Sequence, residues 1–499
     1  MTTETRDKIE QYGMQIDHLS IGCEYDKLKL LLDEIVDFAS TDEEIKNDAA
    51  INYYLGTGLG TYSDYLVRSG KEPADATVIE LRQKSMFYLR KGIALFDPAI
   101  HDDPKAQLRI LTNYANGLDT VGRVIEALRI YRQVLGINKQ FSIALGNYGR
   151  SLQFLANMVN DGGHFRELHC YAYQAIRKAL TIDGPDLHEQ AITAFRRTID
   201  EYESSPIKGI VEEPIVNKEY PLGGSEETLY RRWCLSNHLF LNPLNEVMEI
   251  ESAFAHDPLT IATYTEDICA TDSISRNPAE PPRWFAMLNQ LKEEYVYARF
   301  LCYEGSEKYS EVHFADKDVG LSLGSYDYVR YSFRIEQLKS SFRILYSMLD
   351  QICFFVNDFW NLGIKEREAD AYHVFKAANY PLENVALASL YWVLREFYEK
   401  YGEAEAPSEK SLAALRNAIE HKFVKVHENE WKRDLKLESD SFYHVSEEDL
   451  IKYTLRLLEL SREALMYLVY AIGIEESKKE KHGIAVPMHV TDYPDEWKM

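Results

Sequence analysis

The chain has little cysteine, no long apolar run and no excess of positive charge. Its six cysteines, Cys23, Cys170, Cys234, Cys269, Cys302 and Cys353, lie far apart and include no C-x-x-C pair. That spacing excludes a disulfide framework or a zinc knuckle and reads as scattered reduced thiols. The longest apolar runs, such as 465–474, reach about half of the ~20 residues a membrane-spanning helix needs. The opening MTTETRDKIE is polar and lacks a signal-peptide pattern, so a cytoplasmic protein without membrane contact is expected. Lysine and arginine number 56 against 80 acidic residues, a net charge of −24. Phosphate attraction rewards positive surfaces, so such a chain is not expected to coat DNA or anionic membrane, although a small basic site remains compatible with it. No Walker loop, H-E-x-x-H, G-x-S-x-G or G-x-G-x-x-G occurs. There is no carboxylate or His/Cys cluster with metal-ligand spacing either, so no metal and no cofactor is expected.

What is present is ordinary globular material: 45% apolar and 27% charged residues in 499, enough for two or three domains. Residues from about 20 to 200 read as successive helices, with Leu28, Leu31, Leu32, Ile35 and Phe38 forming one buried stripe. The segment 111–137 is echoed by 145–158, placing Asn113-Tyr114 and Asn147-Tyr148 34 residues apart. With small residues at Gly117 and Ala127, a turn at Gly122 and an aromatic at Tyr131, this period resembles a tetratricopeptide repeat. A non-repetitive helical domain with one chance echo is the alternative. The Gly56-x-Gly58-x-Gly60 run has no strand before it and reads as a hairpin turn or a close helix contact.

Nine of the 16 prolines fall within 184–282, which breaks the helical pattern. That stretch is a connector of short elements, yet RRWCLSNHLFLNPLNEV (231–247) is too apolar for a free linker and should pack on a neighbouring domain. Helices return at 283–475, with long ones over roughly 333–361, 383–401, 408–428 (Ser408 as N-cap) and 446–473 (Ser446 before three acids). Only DVGLSLGSYDYV (318–329) has strand character there. The expected fold class is all-α: a repeat domain at 1–183, a connector at 184–282, a helical bundle at 283–475 separable from the repeats, and a charged tail at 476–499.

The 408–428 helix carries the chemistry. At about 100° per residue, Leu412, Leu415, Ile419, Phe423 and Val426 cluster as a core stripe. Asn417 and His421 share the nearly opposite face, flanked by Lys410, Ala414, Ala418 and Lys425. Arg416 lies about 140° from His421, so its stem must reach round or a second copy must supply the partner. On the residues alone, a solvated face with an Arg416–Glu420 ion pair is an equal reading. Other loose Arg…His pairs exist at Arg231/Arg232–His238 and Arg367–His373, but without Asn after the arginine on a bundle helix. Residues 408–436 hold seven Lys/Arg against five acids, a local net of +2.

R-N-x-x-x-H late in a helical bundle resembles the HEPN superfamily, whose ribonucleases carry an R-x(4–6)-H motif. WCLSNHLFLNPLN (233–245), NQLKEEYVYAR (289–299) and DQICFFVNDFW (350–360) are similar to segments of a bacterial HEPN subgroup with N-terminal helical repeats. The resemblance implies a metal-independent endoribonuclease whose site is assembled across a homodimer. It implies His421 as general base or acid, Arg416 as stabiliser of phosphorane charge, and Asn417 as an orienting residue. Asp350 is an auxiliary candidate for fixing the imidazole, and Lys410, Lys422 and Lys425 are expected to hold RNA. By resemblance such proteins act in antiphage defence or as toxins, with the repeats binding a protein partner or sensing a trigger. The alternative is a non-catalytic scaffold whose bundle only dimerises or binds a nucleotide or RNA.

Overall fold

In a computed structural model, the described residues are 1–98, 105–182, 187–212, 220–248, 251–261, 283–307, 312–321, 329–377, 379–398, 409–428 and 441–478. The N-terminal half begins with α1 (Thr3–Ile21), α2 (Tyr25–Ser40) and the short α3 (Glu43–Lys46). Three hairpins follow: α4 (Ala49–Arg68) with α5 (Ala76–Leu95), α6 (Ala106–Thr120) with α7 (Val124–Ile137), and α8 (Ser142–Met158) with α9 (Gly162–Thr181). Next come α10 (Glu189–Ser204), the short α11 (Lys208–Val211) and α12 (Ser225–Ser236). The C-terminal half contains α13 (Arg283–Glu307), α14 (Phe333–Phe359), the short α15 (Ala371–Lys376), α16 (Val385–Tyr398), α17 (Glu409–His421) and α18 (Glu447–Lys478). Two strands, β1 (Phe423–His427) and β2 (Phe442–Ser446), pair in parallel. The fold is all-α with this small sheet added.

The Asn-Tyr echo is a structural repeat. Asn113 on α6 donates to Tyr53 Oη and Thr57 Oγ1 on α4, both at 3.2 Å. One hairpin later, Asn147 on α8 donates to Asn116 Oδ1 on α6 at 2.9 Å. Both following tyrosines are buried: Tyr114 reaches Glu126 on α7, and Tyr148 donates to the Glu246 carbonyl at 3.0 Å. Gly56 lies inside α4 as a close helix contact rather than a turn. A Cβ there would come within 2.6 Å of Leu89 on α5. Gly122 does make the turn after α6, with φ +82°, and a Cβ on it would sit 2.6 Å from Ser389 Oγ on α16. Its left-handed backbone and the approach of the C-terminal half both select glycine.

That approach is extensive. One hydrophobic core runs unbroken from Ile79 to Ile472, with a second, smaller one under α1, α2 and α4. α18 is buried on every side from Leu460 to Gly473, packed by α13, α14 and α16 and also by α8. The bundle therefore shares its core with the repeats. The connector segment is the piece between them: Leu239, Phe240, Leu241, Asn242 and Leu244 to Val247 are buried. Its backbone carbonyls receive the arginines of the bundle. Leu239 O accepts from Tyr295 Oη at 2.8 Å and from Arg299 at 2.9 Å, while Phe240 O and Asn242 O accept from Arg462 at 2.6 and 3.0 Å.

Charge is buried at these seams in matched sets. Arg462 on α18 and Arg132 on α7 both pair with Glu246, which is 1% exposed. Arg123, Arg129 and Arg456 surround Glu126, and Arg123 also pairs with Glu463. Burial pushes the Glu126 carboxyl up, but the three guanidiniums overcome it and hold it down; burial lifts that of Glu463. Burial likewise acts to raise Glu246, and Arg462 and Arg132 together bring it down to about 2. A carboxyl titrating near 4.5 unfolded and about 2 folded stabilises the fold above pH 4.5, and that stabilisation is lost as pH falls towards 2. The loss should be about 3 kcal/mol. Urea titrations across this window should show a steeper decline in the native protein than in Glu246→Gln; equal slopes would contradict the assignment.

Four of the expected helices are found with nearly the expected limits: α14 is capped by Ser332, α18 by Ser446, whose Oγ accepts from Asp449 N at 3.0 Å, α16 spans Val385–Tyr398, and α13 starts at Arg283. The helix expected over 408–428 differs. It ends at His421, and the chain continues as β1. FVKVH alternates β-branched and polar residues, and pairing with FYHVS supplies the hydrogen-bond partners that a helix would otherwise provide. Val424, Val426, Tyr443 and Val445 pack on the core, and Phe423 is 70% exposed instead of completing the expected stripe. Of the strand-like 318–329 segment, 322–328 lies outside the described residues; Val329 bridges to His427. Ser408 and the tail beyond Lys478 also lie outside them.

Candidate active site

α17 is held by Leu412, Leu415, Ala418 and Ile419, all buried against the bundle, chiefly α14 and α16. Ala418 thus belongs to the packed side and not to the open face, where Ala414 remains. Asn417 and His421, one turn apart, are exposed together. Arg416 is half-buried and its guanidinium lies over the Tyr346 ring of α14, with Cζ 5.3 Å from the centroid. From there Nη1 donates to Asn417 Oδ1 at 3.2 Å. The long stem therefore brings the cation round to the Asn417–His421 face, which the backbone angle alone does not do. Glu420 is taken up by Arg343 of α14, 3.8 Å away, which also donates to the Ile419 carbonyl at 3.3 Å. The expected Arg416–Glu420 pair is replaced by these contacts.

The open face can therefore present a planar cation, an amide and an imidazole along one turn of a helix C-terminus. Carbonyls at that end favour a protonated imidazole. A guanidinium resting on an aromatic ring is positioned by stacking, leaving its other N–H groups for oxygen atoms of a phosphate.

The other named residues are spread out. The contacts of Arg343 with Ile419 and of Tyr346 with Arg416 set α14 antiparallel to α17. In that registry Asp350 lies on α14 about 10 Å along the axis from the level of His421, so it is not placed to fix the imidazole. Lys410 is on the first turn of α17, about 16 Å along the helix from His421. Lys422 is exposed immediately after the helix. Lys425 is on β1, opposite His444, with Nζ 4.4 Å from the Phe442 ring centroid. The three lysines thus do not form one helical stripe; Lys422 and Lys425 stay at the His421 end. The two loose Arg…His pairs have structural roles: His238 Nδ1 contacts the Asn245 carbonyl, and His373 Nδ1 lies 2.7 Å from the Asp370 carboxylate that caps α15.

Residues 275–475 match the family model described as LA2681-like HEPN. The chain carries a HEPN domain. The match contains 289–299, 350–360 and the R-N-x-x-x-H helix, while WCLSNHLFLNPLN (233–245) precedes it. No curated protein and no solved structure matches the chain. In the HEPN domain the small sheet beside α17 escaped sequence reasoning altogether. Its signal was available: F-V-K-V-H and F-Y-H-V-S share Phe, a basic residue and Val at the same positions, 19 residues apart. His427 and His444, brought together by that pairing, have Nε2 and Nδ1 2.8 Å apart and rings stacked at 5.0 Å.

Proposed function

We propose that this protein is a metal-independent endoribonuclease whose HEPN domain cuts RNA at Arg416, Asn417 and His421. The observation that carries the reading is the delivery of the Arg416 guanidinium, across Tyr346, to the face shared by Asn417 and His421. His421 takes the proton of a ribose 2′-OH as its oxygen bonds to the adjacent phosphorus. Arg416 pairs with the oxygens that gain charge in the phosphorane, and Asn417 orients a phosphate oxygen or the imidazole. The bond from phosphorus to the 5′-oxygen breaks, and that oxygen needs a proton. Products are a 2′,3′-cyclic phosphate and a 5′-hydroxyl.

One exposed histidine per chain serves either the base or the acid role well, not both in one turnover. A homodimer pairing two Asn417–His421 faces supplies both, with each Arg416 beside its mate. The setting proposed is cytoplasmic, in antiphage defence or as a toxin. The repeats would bind a protein partner or sense a trigger; a cleft between α4, α5 and α6, lined by Thr57, Thr61, Arg82, Asn113 and Asn116, gives them a polar recess for it.

The test is incubation of purified full-length protein with RNA, with and without EDTA, followed by sequencing of the new ends. Cleavage is expected to persist in EDTA and leave 2′,3′-cyclic phosphates. Cleavage restored only by a divalent metal would overturn the mechanism, and no cleavage at all would favour the scaffold reading.

A further inference from the structure

The parallel pairing of β1 and β2 aligns Phe423 with Phe442, Lys425 with His444 and His427 with Ser446. Strand side chains alternate, so these six residues share one face, while Val424, Val426, Tyr443 and Val445 occupy the other and enter the core. The outer face thus carries two phenyl rings, two imidazoles, an ammonium and a hydroxyl. It is closed at one end and open at the other. His427 is fully buried, with Val329 bridged to it and Arg330 N donating to the Val426 carbonyl at 2.8 Å. At the opposite end Phe423 is 70% exposed and Phe442 38% exposed, their ring centroids 5.7 Å apart. The open end adjoins the catalytic helix: Phe423 follows His421 by two residues, so their Cα atoms lie within about 7 Å.

We propose that this open end is a base-stacking shelf for single-stranded RNA, guiding the strand to His421. The inference rests on the ribonuclease reading and names the form of its substrate. A single exposed phenylalanine is commonplace. Two neighbouring rings with a cation seated on one of them, in a chain of net charge −24, are a different surface. Bases offer π faces to Phe423 and Phe442, and the phosphates between them meet Lys422 and Lys425. Paired bases hide those faces, which selects unpaired RNA. A second copy of the chain suits the shelf less well, because a two-fold contact there would bring Lys422 and Lys425 against their own mates.

The test uses full-length His421→Ala, which keeps the RNA intact, and fluorescence anisotropy with a labelled single-stranded oligoribonucleotide and its duplex. Adding Phe423→Ala or Phe442→Ala should weaken single-strand binding about tenfold, Phe423→Trp should restore it, and the duplex should bind more weakly than the single strand. In the otherwise native protein, Phe423→Ala should raise KM with kcat little changed. Unchanged single-strand binding by both alanine variants would overturn the shelf while leaving cleavage at His421 standing. Single-strand binding that depends on the two phenylalanines, in a native protein that cuts nothing, would keep the shelf and remove the nuclease. No RNA binding by any form would remove both. Loss of the dimer in Phe423→Ala, measured by light scattering, would show that the rings cover a second copy instead.

Discussion

His421→Ala is expected to lower RNA cleavage by about 10³-fold or more, with secondary structure, melting temperature and dimer unchanged. The side chain is exposed at the last residue of α17 and contributes nothing to the core. Its loss therefore removes chemistry alone. One positioned acid or base contributes about 10²–10⁴-fold, and in a two-fold composite site the substitution removes both at once. Arg416→Lys should cost about 10²-fold or more, because an ammonium can neither stack flat on Tyr346 nor pair two oxygens in a plane. Tyr346→Leu tests the positioning step. Arg416 would keep its charge but lose the ring that carries it towards Asn417, so kcat should fall more than RNA affinity. Single-turnover cleavage of a short RNA measures all three. Native rates in His421→Ala would end the assignment.

The second large effect is on stability. Arg462→Ala should destabilise the fold by about 3–5 kcal/mol. It strips Glu246 of one of its two guanidiniums and leaves the carbonyls of Phe240 and Asn242 without their donor inside a closed core. Because α18, the connector and α7 meet at that cluster, and because the apolar core is continuous from Ile79 to Ile472, the loss should propagate to both halves. Urea unfolding followed by circular dichroism and by tryptophan fluorescence should show coincident transitions shifted together. Two separate transitions, with the repeat half unshifted, would mean that the halves fold independently despite the shared core. Arg462→Met, which refills the volume, should recover part of the packing and none of the ion pairing.

The repeats were legible because their signal is local and doubled: Asn113-Tyr114 and Asn147-Tyr148 recur, and each pair does the same work one hairpin apart. The boundaries of α14 and α18 were legible from Ser332 and Ser446, whose caps are read within three residues. The end of α17 was not. Phe423 and Val426 continue a helical stripe as well as Val424 and Val426 fit an alternating strand, and only the partner strand, 19 residues on, decides between the two periods. The same holds for Arg416, whose angle on the helix pointed away from His421 until Tyr346 supplied a surface to cross.

The sequence by itself determined the all-α class, the helical period of both halves, the HEPN resemblance and the three residues of the motif. These depend on spacings of three, four and a few more residues along one element, which the backbone geometry of a helix converts directly into a face. Tertiary structure alone decided which way Arg416 reaches, that Lys425 sits on a strand, and that Glu246 joins Arg132 to Arg462, 330 residues apart in the chain. Long flexible side chains and short strands take their positions from whatever distant surface pairs with them, and no local periodicity encodes that partner.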